Sequence, residues 1–145
     1  LDGVVLTIGI SAALIPPYAA NFWSRTEGVA AAAGLALYSY VMLLWARFER
    51  SDRSSCILLA VSAMAAAGLV LDQGSFLFAA ELAAVGLAQS LGFFAPRARP
   101  ALLASSAPLY AALLGAAWLY GGLTQESFVT LAALPWAATL ARRFS

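Results

Sequence analysis

The chain has 145 residues, 63% of them hydrophobic and 10% charged, with a formal net charge of +1. Soluble domains carry roughly 25% charged residues, so this composition excludes a soluble globular protein and leaves no room for a soluble domain beside the membrane segments. Nor does the small positive charge point to nucleic acid, because the arginines sit at loop ends, where they anchor helices and meet anionic headgroups.

A helix needs about 17–25 apolar residues to cross a hydrocarbon core. The sequence supplies such runs at 4–23, 29–46, 55–71, 76–95 and 101–121, then a shorter one at 128–141. The first follows Asp2 with no Arg or Lys before it, so it is expected as a span rather than a cleaved secretory leader. Its "IPP", residues 15–17, is expected to kink it. The third span opens with Cys56, the single cysteine, which has no internal disulfide partner and is expected to be a buried small residue. In the fifth span Pro108 is expected to bend the helix, and Ala111 and Gly115, four residues apart, form a small-residue face suited to close helix contact in lipid. The sixth run has 14 residues, about 21 Å of helix, and either spans a thinned bilayer or lies shallow. Continuous apolar runs exclude a β-barrel, whose lipid-facing strands alternate apolar and polar residues. The expected fold is therefore all-α, one polytopic transmembrane helix bundle of six spans.

With six spans, Arg47, Arg50, Arg53, Arg97, Arg99, Arg142 and Arg143 fall on one side and Arg25 on the other. This asymmetry in short loops predicts both termini in the cytoplasm, here of a bacterial inner membrane. Trp23, Trp45, Trp118, Tyr110 and Tyr120 fall near span ends and are read as an interfacial anchoring belt.

The chain contains no His and one Cys. Haem ligation by imidazole, His-bearing zinc sites and thiolate clusters are excluded. There is no glycine-rich phosphate loop and no aspartate pair suited to metal-assisted diphosphate chemistry, so an enzyme is not expected. No cofactor is required by the sequence, although bound lipid, quinone or pigment would leave no obligatory motif.

The polar groups at membrane depth are Asn21, Ser39, Ser62, Glu81, Gln89, Ser105, Ser106 and Thr130. Serine and threonine hydroxyls in such helices ordinarily bond back to their own backbone or bridge to a neighbour. Glu81 stands apart, in "FLFAAELAAV", about five residues or ~8 Å inside its span. A central acidic residue costs about 2.5–3.5 kcal/mol on insertion scales, so it faces protein or water, pairs, or becomes protonated. Glu81 is expected to face protein, either hydrogen-bonded as glue between helices or as part of a proton path. No Lys and no mid-span Arg exists in the chain, so a full charge partner would come from another subunit.

"FLFAAELAAVGLAQSLGFF", then "PRARP", then "YAALLGAAWLYGGLT" resembles the central part of the antiporter-like, proton-conducting membrane subunits of respiratory complex I, Mrp antiporters and membrane-bound hydrogenases. Glu81-Leu82 matches that family's glutamate-bearing span, and Leu114-Gly115 with Leu119-Tyr120-Gly121 matches the end of the next one, over roughly residues 54–124. The resemblance implies a proton path through Glu81. In the family the path continues to lysines on later helices, whereas in the tail "FVTLAALPW" Thr130 stands about where such a lysine would be. Glu81, Gln89 and Thr130 are accordingly the candidates for a proton or polar network in a shortened relative.

Three functions follow as expectations. The first is a small non-catalytic subunit of a larger membrane complex, such as a redox- or ion-translocating one, with other integral membrane subunits and lipid as partners. The second is a self-contained oligomeric transporter of protons or cations using Glu81. The third is an accessory subunit that binds pigment or quinone.

Overall fold

In a computed structural model the described residues are 25–49 and 52–145, and the expected first span lies outside them. They form five helices: α1 Arg25–Phe48, α2 Arg53–Asp72, α3 Phe76–Phe94, α4 Arg99–Tyr120 and α5 Gln125–Phe144. Helices α1 to α4 are long and apolar enough to cross a membrane, which makes the chain a multi-pass membrane protein. Helix α5 has 20 residues, about 30 Å, against the 14 expected, but Gln125, Glu126, Arg142 and Arg143 at its ends dilute its hydropathy and it does not join the other four as a span candidate.

The ends of the helices follow from local chemistry. Asp52 caps α2, its carboxylate accepting from the Ser54 N–H at 3.0 Å. Thr124 caps α5 in the same way, accepting from the Ser127 N–H at 3.2 Å. At the other end of α2 the Ser75 N–H reaches back to the Val70 carbonyl and the Gly74 N–H to that of Leu71. This is a Schellman stop, and it requires the left-handed backbone (φ 86°) that Gly74 adopts without a Cβ penalty. The chain reverses there, so α2 and α3 form a tight antiparallel pair. Helix α4 runs unbroken through Pro108.

Helix α3 packs against α2 and α4, α1 packs against α4, and α5 lies along α2 and the end of α4. Small residues set the spacing, as expected in lipid. A Cβ on Gly86 would come within 2.9 Å of Met64, and one on Gly92 within 3.1 Å of the Cys56 sulfur. Cys56 itself is fully buried. The core is built from Met42, Trp45, Leu59, Ala63, Val70, Leu82, Leu103, Tyr110 and Leu114.

The aromatic belt needs correction. Trp45 and Tyr110, read as interfacial anchors, are 1% and 0% exposed. The Trp45 indole donates to the Thr139 hydroxyl at 2.9 Å, and the Tyr110 hydroxyl donates to the Leu131 carbonyl at 3.0 Å, so both join α5 to the bundle. Among the described members of this set only Tyr120 is exposed, while Trp118 stacks on Phe128 at 5.1 Å; Trp23 lies outside the described residues.

Candidate functional site

Helix α3 buries Ala79, Leu82, Val85, Gly86, Gln89 and Gly92 against its neighbours. Glu81 falls off this stripe and is exposed. Among the described residues no hydrogen bond or ion pair engages its carboxylate, so the polar partner expected for it is not one of them. The reason is register, since α3 turns its small and apolar face to α2 and α4 and leaves position 81 on the outer flank. Glu81 instead edges a crevice of about 320 Å³ along the α3–α4 seam, lined also by Ala84, Val85, Ala88, Ser106, Leu109 and Leu113. Residues 81, 84 and 88 recur at helical spacing, so one flank of α3 presents a carboxylate followed by two alanines.

The other candidates lie elsewhere. Gln89 is fully buried, its amide donating to the Leu102 carbonyl at 2.9 Å while its own side-chain oxygen has no partner. It thus ties α3 to α4. Thr130 is exposed on α5 and bonds back to the Glu126 carbonyl at 2.8 Å. Glu81, Gln89 and Thr130 occupy three separate surroundings rather than one network. Ser62 and Ser105 also bond back to their own helices, as expected. Ser39 is fully buried with its hydroxyl unpartnered.

Ala111 and Gly115 are the candidate packing pair. Both are buried, and a Cβ on Gly115 would stand 2.7 Å from Leu35 Cδ1, so this is where α1 approaches α4 closely.

A polar cluster not anticipated from sequence lies at one end of the bundle. Glu49 is 7% exposed and accepts from the Ser55 hydroxyl at 2.8 Å. Arg142 reaches one of its oxygens at 3.5 Å and Arg143 the other at 3.4 Å. Arg142 also pairs with Asp52 and the Ser54 hydroxyl. Burial alone would raise the Asp52 carboxyl, but the Ser54 hydroxyl and N–H and the Arg142 guanidinium hold it below the ordinary carboxylate range. Arg53 lies over the Phe93 ring at 3.5 Å, and Arg99 donates to the Gly92 carbonyl at 3.1 Å. The end of α5 is therefore clasped to the α1–α2 connection, at the end of the bundle that also carries Arg53 and Arg99. The sequence signal was present in acidic Glu49 and Asp52 within an otherwise basic loop.

An apolar groove of about 620 Å³ runs between α1, α4 and α5, with Tyr38, Trp118, Phe128 and Trp136 contributing its rings. Among the described residues no group of three or more His, Cys, Asp or Glu could hold a metal ion.

Comparison with family models, with curated proteins and with solved structures returns no match.

Proposed function

We propose that this chain is a small non-catalytic integral subunit of a larger membrane complex. The observation that carries the reading is the exposed carboxylate of Glu81 on a helix long and apolar enough to span, beside the small residues Ala84 and Ala88. Hydrocarbon penalises such a group, whereas a protein neighbour satisfies it, and small residues let that neighbour come close. The antiporter-like resemblance agrees with a place in an ion-translocating or redox complex, with the chain as a shortened companion of the conducting subunits.

The six-span topology with cytoplasmic termini belongs to the same proposal. Its support is that Arg53, Arg99, Arg142 and Arg143 gather at one end of the bundle, the side that the positive-inside rule assigns to the cytoplasm of a bacterial inner membrane.

Purification of the full chain from its native membranes in mild detergent tests the reading. Co-migration with other membrane subunits is expected. A homo-oligomer that by itself moves protons in liposomes would replace it with the self-contained transporter.

A further inference from the structure

Among the described residues Glu81 is an exposed carboxylate among exposed apolar side chains of α3 such as Leu77, Leu87 and Leu91, which lipid accepts. Glu81 lies ~8 Å inside its helix, too deep for its short stem to carry the carboxylate to the interface. It opens on the α3–α4 crevice, where Ala84 and Ala88 keep the wall low and Leu109 of α4 forms the facing side. A second helix seated there would meet a carboxyl group, flanked by a surface that permits close backbone approach.

Charge decides what that helix carries. All eight cations of the chain are arginines; Arg25, Arg47, Arg53, Arg97, Arg99, Arg142 and Arg143 stand at helix ends or in connections, none at the depth of Glu81, and the eighth, Arg50, lies outside the described residues. Residues 1–24 contain no Arg or Lys at all. A second copy placed symmetrically on this flank would set one Glu81 against another and bring no cation to either. Lipid tails offer no hydrogen bond.

Resting on the subunit reading above, we propose that the Glu81 flank of α3, with Leu109 of α4, is the docking surface for one transmembrane helix of a different subunit, and that this helix carries a Lys or Arg that pairs with Glu81. The pair is completed only on association, which makes the carboxylate a specificity element: a neighbour lacking the cation leaves it buried and unpaired.

The experiment uses the full chain in its native membranes, with a photoreactive amino acid in place of Leu109 and mass spectrometry to locate the crosslinked residue. The expected result is a crosslink to a transmembrane helix of another protein, within about two turns of a Lys or Arg. Glu81→Lys should lower the crosslink yield at least tenfold, and exchanging the partner's basic residue for Glu should restore it in the Glu81→Lys background. Glu81→Gln, which keeps the side-chain shape, should lower it less. Because Glu81 is exposed, these variants leave the chain's own fold intact, which a parallel measurement of its thermal unfolding in detergent verifies. A crosslink confined to lipid, to a second copy, or to a helix without a nearby cation overturns the proposal, as does an unchanged yield with Glu81→Lys. If any of these occurs while the chain still migrates with other subunits, the docking surface is wrong and the subunit reading stands; if the chain migrates alone, both fall.

Discussion

The Trp45 indole N–H donates across 2.9 Å to the Thr139 hydroxyl, which in turn donates to the Pro135 carbonyl, so the end of α1 is bonded into the last turns of α5. Both residues are buried. Thr139→Val keeps the volume and removes the acceptor, stranding a buried donor at a cost of about 1–3 kcal/mol. Thermal unfolding in detergent should show a lower Tm for Thr139→Val and a nearly unchanged one for Thr139→Ser. Equal Tm values for Thr139→Val and the wild type would mean that the bond contributes nothing.

Gly115 supplies a second test. Its absent side chain is what lets Leu35 of α1 lie against α4, and Gly115→Leu should force the two helices apart. Lower accumulation of folded protein is expected. Since the obstructing atom is the tip of one leucine, adding Leu35→Ala should recover part of the loss. Failure of that recovery would place the strain elsewhere.

The charge clasp predicts a dependence on acid. The folded Asp52 carboxyl titrates below its ordinary value of about 3.9, so the stability it contributes is complete above that value and is lost as pH falls through the lower folded one. Hydrogen exchange at the end of α5 should therefore accelerate only as pH is lowered below about 4, after correction for intrinsic exchange. Asp52→Asn retains a capping side chain but not the charge, and should flatten this dependence. A profile for Asp52→Asn that matches the wild type would mean that Asp52 does not carry the effect.

Topology is testable at the α2–α3 turn. Gln73 is exposed there, and a cysteine in its place should react with an impermeant thiol reagent in intact cells, while one at Asp52, at the opposite end of α2, should not. The reverse pattern would invert the orientation.

Much of the bundle was legible in the sequence because spans are written in uninterrupted apolar runs: the expected 29–46, 55–71, 76–95 and 101–121 each fall on a helix, and Cys56, Ala111 and Gly115 sit in packed seams. Helix α5 was underestimated because its cap at Thr124 and its arginine-bearing last turn are polar, and hydropathy does not count capped ends. Trp45 and Tyr110 were misread because proximity to a span end does not say which way a ring turns; α5 packs on that face and takes their hydrogen bonds. For Glu81 the sequence told the depth but not the flank. Which side of α3 looks outward depends on how α2 and α4 pack on Gly86, Gly92 and Leu82, a tertiary choice that spacing alone leaves open.

The central claim, that this chain is one subunit of a larger membrane complex, is tested most directly by native mass spectrometry of the tagged full chain released from its own membranes. The account predicts a mass well above that of the 15.1 kDa chain, made up of one copy of it with other integral membrane subunits. A mass equal to the chain alone, or to a whole-number multiple of it, would contradict that.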